Sequence, residues 1–503
     1  MPKQAQVGTV DCKRICMQLV EEEGVIVQGH AFYNPVQKFN RTMTIRIINA
    51  YKEHFGKDSL SILECMSATG IRAIRYCREI KGSRRIVMND LSARACAEIV
   101  ANCQANGIEA KVNEEVDNGE CSVEVCNEDC RVLMLQRKHK YDVIDIDPFG
   151  SCALYIESAL ESIAPGGLLC VTSTDLKALC DSPPEACFKK YGACSISNTY
   201  SHEVAIRIIL SYISRTAAKL KRTIRPLISL YMDFFIRVFV VVDPVEQKYN
   251  SGLEGSSLFF LCQCLNHLEI PSLRQEGKAY RHAKANLPEA CPLCARKPSL
   301  YGPLWKAPLH DPDFIQLVLA PIDEATIQTK TGGVKEMAFT SAQIDRRIHG
   351  MLSMAKEEEE DAPFFYTMSL IATNLKLPMA PLVSIISFLE HNGYTASLSH
   401  CRAGAMKTKA PLELVYLALA EYFHIHQPNT YNQALTKALN STSQTPEVII
   451  FNQILNYQKK SKIIIDFTIT QDAKKKTSQK YLKFPDHIGL NWGPGSNKPK
   501  QSR

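Results

Sequence analysis

The segment YDVIDIDPFG, residues 141–150, runs from an apolar stretch directly into a turn. On both sides of it, from about residue 59 to residue 242, short apolar runs alternate with helical patterns. Strands and helices that alternate at this spacing predict a parallel α/β sheet. Because ligands of such sheets bind at the carboxyl ends of the strands, the residues that follow each strand are the candidates for a functional site.

The chain has 503 residues, which exceeds one ordinary core and predicts two or three domains. We expect an N-terminal segment at residues 1–58, an α/β domain at 59–256, a second, α+β domain at 257–455 and a tail at 456–503. In the second domain, residues 366–400 have the pattern of a helix, a turn, a helix and an extended segment, as in a winged helix. A plain helical pair with a hairpin is an equal alternative.

Composition argues against two classes of protein. Hydrophobic residues make up 45% of the chain and charged residues 22%, and every long apolar run carries charges, so we expect no membrane span. The N-terminus lacks the apolar core of a secretory signal. The 19 cysteines therefore indicate reduced thiols in the nucleus or cytoplasm, with a metal cluster among them as one option, and a mitochondrial pool stays open.

Charge is concentrated in the tail. The whole chain carries +7, whereas residues 456–503 hold eleven Lys and Arg against three Asp and Glu, a surplus of eight, which leaves −1 for the rest. A basic segment suits a polyanionic partner such as nucleic acid. A solubilising tail without a partner is the alternative.

Two strand ends suit S-adenosylmethionine (SAM), which carries ribose hydroxyls and an amino-acid tail. The first strand ends at Glu64 and leads into small residues, where Gly70 permits a positive φ and Arg72 offers a guanidinium for a carboxylate. Asp90 ends the second strand, at the position from which an acid binds ribose hydroxyls; a helix N-cap is its alternative role. Asp129 falls where the adenine amine needs an acceptor. Because the turn is not GxGxxG, a nicotinamide site loses its main support.

The turn Asp147-Pro148-Phe149 is the candidate for the chemical step. An exocyclic amine of a base is a poor nucleophile, and a carboxylate that accepts its hydrogen bond pulls the nitrogen toward sp3 geometry. Pro148 has no N–H, so nearby carbonyls stay available as acceptors. Phe149 offers a ring on which a flipped base stacks. A plain strand-terminal turn is the alternative.

Together these motifs resemble the tRNA guanine-26 N2-dimethyltransferase family in its eukaryotic form. The matching segments are FYNPVQKFNR, SATGIR, the ND after the second strand, YDVIDIDPFG, GGLLCVTSTD, KYGA, CPLC with GPLW, and NWGP, from about His30 to about Gly495. The resemblance implies a Rossmann-like class I methyltransferase sheet with a second, family-specific domain. It also implies SAM as cofactor and tRNA as partner, with no obligate protein partner. An inactive RNA-binding protein on the same fold, or an amine methyltransferase for another polymer, is the rival interpretation.

Residue roles follow from the same resemblance. The segment at residues 1–58 would contact substrate and SAM, and Phe32 and Phe149 would be the base-stacking aromatics around the catalytic Asp147. The SAM contacts would be Arg41, Arg72, Asp90 and Asp129, with Cys130 beside the adenine. The roles of Phe32 and Arg41 rest on the resemblance alone.

The family's zinc site departs from its usual pattern in this chain. Relatives often use two C-x-x-C pairs; Cys291 and Cys294 keep one, whereas the other reads Cys262-Gln-Cys264-Leu-Asn-His267. The spacing predicts a Cys3His zinc site from Cys264, His267, Cys291 and Cys294, with Cys262 as the competing ligand. A decayed site with free thiols is the alternative.

Overall fold

The computed structural model describes residues 18–31, 33–181, 183–244, 255–271, 273–276, 279–284, 288–322, 340–440 and 445–478. The chain divides into two compact units, Met1–Asp145 and Ile146–Arg503. The four-part domain division drawn from the sequence stays a prediction. No helix in the described part of the chain has the length and apolarity that crossing a bilayer requires.

The first unit starts with a hairpin and continues as alternating strands and helices. Its strands are β1 (Gln18–Glu22), β2 (Val25–Gly29), β3 (Leu60–Glu64), β4 (Ser83–Asn89), β5 (Glu115–Asp117), β6 (Ser122–Cys126) and β7 (Tyr141–Ile146). Its helices are α1 (Lys38–His54), which follows a 3-10 turn at Pro35–Gln37, α2 (Ile71–Glu79), α3 (Ala93–Ala105) and α4 (Cys130–Gln136).

Five of these strands form a sheet in the order β5-β6-β4-β3-β7. β3 runs parallel to β4 and β7, β4 runs parallel to β6, and the short β5 is antiparallel to β6. The central strands are buried on both faces, as Ile62, Leu63 and Ile144 show with 0% exposure. Strands covered on both faces read as continuous apolar runs, which explains why SLSILEC and YDVIDI predict them.

The second unit begins with three more strands. Its first elements are α5 (Ala153–Ser162), β8 (Ile163–Ser173), α6 (Leu176–Cys180), α7 (Glu185–Tyr191), α8 (Ser201–Lys219), β9 (Arg222–Met232) and β10 (Phe235–Pro244). The strands lie in the order β8-β10-β9, and β10 is antiparallel to both neighbours. With the five above they make the eight strands of one mixed, mostly parallel sheet.

Small antiparallel sheets and helices follow. The elements are β11 (Ser256–Leu261), β12 (His267–Pro271), β13 (Leu273–Glu276), β14 (Ala279–His282), β15 (Ser299–Trp305), α9 (Pro312–Leu319), α10 (Ser341–Lys356), β16 (Tyr366–Thr367), α11 (Met368–Leu375), α12 (Leu382–His391), β17 (Ala396–Leu398), β18 (Ala405–Thr408), α13 (Leu412–His426), α14 (Pro428–Leu439), α15 (Pro446–Lys460) and α16 (Gln471–Ser478). From α10 to β18, three helices and a β16-β18-β17 sheet follow the chain order of a winged helix.

Candidate active site and cysteine cluster

The ends of β3, β4 and β6 are tied together by one side chain. The amide Nδ2 of Asn89 donates to the carbonyl of Cys65 at 3.0 Å and to that of Glu128 at 3.1 Å. The backbone N–H of Ser67 donates in turn to the carbonyl of Asn89 at 2.8 Å. The three turns that carry the predicted SAM contacts are therefore held at one edge of the sheet.

Asp90 fixes the turn that follows β3. Its Oδ2 accepts the backbone N–H of Ala68 at 3.0 Å, and its Oδ1 accepts that of Ser92 at 2.9 Å. The N-cap of α3 is Ser92, so the structure separates the two roles that the sequence left open for Asp90. Ala68 and Gly70 have φ values of +49° and +77°, the left-handed conformation in which Gly is least strained. A Cβ on Gly70 would lie 3.2 Å from the side chain of Ile99, so this turn has little room for a larger residue.

Arg72 lies in a buried cluster beneath the strand ends. Its guanidinium is 3.6 Å from Glu64 Oε1 and 3.4 Å from Asp145 Oδ2. The hydroxyl of Tyr76 donates to the same Asp145 oxygen at 2.6 Å. Because two carboxylates already balance the charge of Arg72, a ligand carboxylate would share this guanidinium with them.

Asp129 and Cys130 begin α4. Asp129 is the N-cap and accepts the backbone N–H of Arg131 at 2.9 Å. A hydrogen bond from the Arg131 side chain lowers the pKa of Asp129, and the Cys130 side chain is buried. Asp129 is therefore charged and placed at the strand end, although Arg131 already engages it.

Arg41 lies in a second buried ion cluster of the first unit. Its Nε donates to Glu22 Oε1 at 2.8 Å and its Nη2 donates to Glu22 Oε2, while Arg75 donates to Glu22 Oε1 at 2.7 Å. Burial raises the pKa of Glu22, but hydrogen bonds and charges from the two arginines outweigh it and lower that pKa to about 2. Arg41 thus supports the N-terminal hairpin here, and its predicted contact with SAM stays a prediction.

The turn after β7 is fixed through its backbone. Gly150, with φ +94°, donates to Thr174 Oγ1 at 2.7 Å, and its carbonyl accepts the Thr174 N–H at 3.0 Å. Pro148 is buried and Asp147 is half-buried, whereas the ring of Phe149 is 81% exposed. The turn therefore presents an aromatic face and a carboxylate. Phe32, the other predicted stacking residue, lies outside the described residues.

Three residues that support this turn were not singled out from the sequence. Ser173 Oγ donates to the Gly150 carbonyl at 3.3 Å, and the buried Tyr191 hydroxyl lies 3.2 Å from Ser173 Oγ and accepts from Ser151 Oγ at 2.8 Å. Burial raises the pKa of Tyr191, so it stays a neutral hydrogen-bonding group. Thr174 is the third of these residues. They belong to GGLLCVTSTD and KYGA, which the resemblance flagged as motifs without giving them a role.

Four cysteines come together in the second unit: Cys262, Cys264, Cys291 and Cys294. Their sulfur atoms all lie within 4.8 Å of one another, with 3.4 Å between Cys262 and Cys294 and 3.5 Å between Cys264 and Cys291. All four side chains are buried. Each pair sits on a tight turn, closed by Leu265 N to Cys262 O at 3.0 Å and by Ala295 N to Cys291 O at 2.8 Å.

His267 is not part of this group, contrary to the Cys3His set expected from the sequence. It is the first residue of β12 and pairs with Leu261, so it has already left the turn that carries Cys262 and Cys264. Its ring packs against Phe364 at 5.2 Å between centroids, and burial lowers its pKa. The structure brings in Cys262 instead, the residue that the sequence offered as a competing ligand.

His310, Glu358 and His400 form a second buried group, but its polar atoms are engaged differently. Tyr231 N donates to His400 Nε2 at 3.3 Å and Ser229 N donates to His310 Nδ1 at 3.4 Å. Glu358 pairs with His400 Nδ1 at 2.6 Å and with Lys407 Nζ at 3.1 Å. A metal cation would meet the Lys407 cation here, so we interpret this group as a structural ion network.

Comparison with known proteins decides the family. The family model described as N2,N2-dimethylguanosine tRNA methyltransferase matches residues 12–420. The chain belongs to this family. It is a methyltransferase, which confirms the enzyme class expected from the sequence.

Individual relatives agree along most of the chain. A tRNA (guanine(26)-N(2))-dimethyltransferase of Drosophila melanogaster is 30% identical over 94% of this chain and 85% of its own length. The mitochondrial enzyme of that name from Saccharomyces cerevisiae is 28% identical over 94% of this chain and 92% of its own length. The solved structure of Trm1 from Pyrococcus horikoshii with S-adenosyl-L-methionine has a TM-score of 0.65 and 26% identity, and the match covers 80% of this chain and 99% of Trm1. This similarity confirms the methyltransferase fold class.

Proposed function

We propose that this chain transfers methyl groups from SAM to the exocyclic N2 amine of guanine 26 in tRNA, giving N2-methyl- and N2,N2-dimethylguanosine. The observation that carries the proposal is the Asp147–Gly150 turn, which presents a carboxylate and an exposed aromatic ring directly after a buried strand. The names of the relatives and the SAM complex of Trm1 support the substrate and the methyl donor.

The strand ends of the first unit fit SAM, which supplies an electrophilic methyl group when bound. Each oxygen of Asp90 accepts one backbone N–H, and a carboxylate oxygen has a second lone pair with which to accept a ribose hydroxyl. The left-handed turn at Ala68 and Gly70 lets the backbone approach the amino-acid tail. We assign Arg72, Glu64, Asp129 and Cys130 to the same site, and Arg41 on the resemblance alone.

The base is handled by the Asp147–Gly150 turn. Phe149 stacks on the flipped guanine, and Phe32 is proposed as its second aromatic face. Asp147 accepts a hydrogen bond from the N2 amine, which concentrates the nitrogen lone pair for attack. Asp147 then takes the proton that the nitrogen loses once its new bond to carbon has formed. The buried Pro148 lends the turn its fixed shape and has no N–H to compete for the carbonyls.

We also propose a structural zinc ion held by Cys262, Cys264, Cys291 and Cys294. A tetrahedron with Zn–S bonds of about 2.3 Å puts its sulfurs about 3.8 Å apart, close to the separations of 3.4 and 3.5 Å seen here. Hydrogen bonds from neighbouring thiols lower the pKa of Cys262 to about 7, toward the thiolate form that binds metals. Four protein ligands leave no open position, so the role is structural.

Metal analysis of purified variants tests the zinc assignment. We expect one equivalent of zinc in the wild type and in His267→Ala, and less than about half an equivalent in Cys262→Ser. Zinc below about a tenth of an equivalent in the wild type would refute the site, and zinc lost from His267→Ala but kept in Cys262→Ser would restore the Cys3His set.

tRNA is the partner we propose, and no protein partner is required by the site. We place the protein in the nucleus or the cytoplasm. A mitochondrial pool is an alternative location that the mitochondrial yeast relative makes worth testing. Tagged protein followed by fractionation of the source cells checks this placement.

Methyl transfer itself is tested on unmodified transcripts. The purified protein is incubated with SAM and a tRNA transcript that has guanine 26, and with a matched transcript that has adenine 26. Digestion to nucleosides and mass spectrometry should show N2-methylated guanosines only for guanine 26. Equal methylation of both transcripts would move the target elsewhere in the RNA, and no methylation despite bound SAM would favour an inactive RNA-binding protein.

A further inference from the structure

Residues 461–478, which we call the C-terminal strap, lie across α12. Asn392, just past the end of α12, exchanges two hydrogen bonds with the backbone of Ile464: Nδ2 donates to the carbonyl at 2.9 Å, and Oδ1 accepts the N–H at 2.9 Å. The ring of Phe467 stacks on that of Phe388 with 5.0 Å between centroids. The first half of the strap is therefore held by both backbone and side-chain contacts.

The second half of the strap continues along the same helix. The N–H of Thr470 donates to Ser387 Oγ at 3.1 Å, and the Thr470 hydroxyl donates to Glu390. Lys476 of α16 lies 3.7 Å from the other oxygen of Glu390, and Ala473 is fully buried. Contacts from residue 387 to residue 392 thus come from this chain's own C-terminal segment.

This contact bears on how the winged-helix segment meets nucleic acid. In such domains the second helix of the helix-turn-helix enters the groove, and here that helix is α12, after α11. Ile385, Ile386, Ser387, Phe388 and Leu389 are all 0% exposed. While the strap is bound, α12 has no such face to offer to a groove.

Exposed lysines lie at both ends of the strap. Lys459, Lys460 and Lys462 precede Ile464, and Lys474 and Lys475 lie on α16 beside Lys476; all except Lys476 are exposed. Asp466 and Asp472 are the acidic residues between 459 and 478, and Asp472 is paired with Lys476 at 2.5 Å. Since Ile464 binds Asn392 and Lys476 binds Glu390, both lysine groups lie near the C-terminal end of α12 and make that surface basic.

We propose that the C-terminal strap takes the place of α12 as the RNA-facing surface of this domain, with Lys459, Lys460, Lys462, Lys474 and Lys475 contacting tRNA phosphates. The inference deepens the proposed function and rests on it for the identity of the RNA. Exposed lysines without a fixed pattern of base-reading side chains fit a sequence-independent contact with the sugar–phosphate backbone. The strap thereby supplies affinity, whereas the choice of guanine 26 stays with the active site.

Binding of a tRNA transcript to the full chain at several salt concentrations tests the strap. A variant with all five lysines changed to Gln is compared with Lys111→Gln/Lys437→Gln, which removes two exposed lysines elsewhere. Each lost phosphate contact flattens the plot of log K against log salt by about 0.7–0.9, so we expect a slope shallower by about 2 to 4 and binding at least about tenfold weaker near 0.15 M salt. At saturating tRNA, kcat should stay within about twofold. An unchanged slope would overturn the proposal.

A second variant distinguishes a surface from a cover. Phe467→Ala/Asn392→Ala loosens the strap without removing any lysine. We expect weaker tRNA binding, because the lysines lose their fixed positions, and tighter binding would show instead that α12 is the RNA surface and that the strap blocks it. If the wild type binds tRNA through these lysines but methylates no guanine, the proposed function fails while the strap proposal stands. If it methylates guanine 26 and the lysine variant binds normally, the strap proposal alone fails.

Discussion

The strand ends of the first unit and the Asp147–Gly150 turn of the second are stabilised in different ways. In the first unit, Asp90 and Arg72 are held by hydrogen bonds and buried ion pairs, so their side chains have fixed positions. In the second, the backbone of Gly150 is fixed by Thr174 while the Phe149 ring is 81% exposed. A small cofactor needs a site prepared in advance, whereas a base inserted by a large RNA supplies part of the site itself. This difference predicts that variants of the two regions fail in different measurements.

The largest effect is expected at Asp147. Asp147→Ala removes the proton acceptor, so kcat should fall by about 10²–10⁴-fold. The dissociation constant of SAM, measured by calorimetry, should stay unchanged, because the cofactor residues lie in the other region. Glu157→Ala removes an exposed carboxylate of α5 and should behave as wild type. Loss of SAM binding in Asp147→Ala would break the separation between the two regions.

Asp90 should give the reverse pattern. Asp90→Ala removes the acceptor for the ribose hydroxyls and frees the Ala68 turn, and a charged hydrogen bond contributes about 1.5–3 kcal/mol. We expect SAM to bind about 10- to 150-fold more weakly in calorimetry, with tRNA affinity unchanged. Glu109→Ala, at an exposed position of the same unit, is the control. Wild-type SAM affinity in Asp90→Ala would remove Asp90 from the site.

Phe149 should affect only the RNA side. Stacking contributes about 1–3 kcal/mol per base, so Phe149→Ala should lower kcat/KM for tRNA by about 5- to 150-fold and leave the SAM dissociation constant unchanged. Leu154→Ala, which removes another exposed apolar side chain at 68% exposure, should have little effect. Equal losses in both variants would mean that general apolar contact, and not base stacking, is measured.

Glu22 tests whether the first unit depends on buried charge, with no effect on activity expected at neutral pH. Its pKa is lowered from 4.5 to about 2, so its contribution to stability is fully present above about pH 4.5 and is lost as the pH falls toward 2. The lowered pKa corresponds to about 3 kcal/mol. In urea titrations at pH 7 and pH 3, Glu22→Gln should be less stable than wild type mainly at pH 7. The exposed neighbour Glu21→Gln should match wild type at both, and identical curves for all three would refute the role of Glu22.

Local pattern predicted the framework of the sheet. SLSILEC, RRIVMND and YDVIDI mark strands at 60–64, 83–89 and 141–146 because a strand buried on both faces must be apolar throughout. The positions of the strand-end acids follow from the same argument, since chain order and strand direction place them at one edge of the sheet.

Side-chain partners could not be predicted in this way. The ion cluster of Glu22, Arg41 and Arg75 joins residues far apart in sequence, and nothing in their spacing announces it. The choice of Cys262 over His267 depends on where the turn between β11 and β12 closes, which a ligand spacing does not encode. The strap is similar: Asn392 and Ile464 are 72 residues apart, and only the folded chain shows that they meet.

The most direct test of the central claim removes the accepting atom from the substrate. Hypoxanthine lacks the exocyclic 2-amine of guanine, so a tRNA carrying inosine at position 26 is matched with one carrying guanosine, and methyl transfer from labelled SAM is measured in a single turnover. The account predicts full transfer to guanosine and none to inosine, with similar binding of both tRNAs. Equal transfer to both would show that the methyl group goes to another atom, and the assignment of Asp147 to the N2 amine would be wrong.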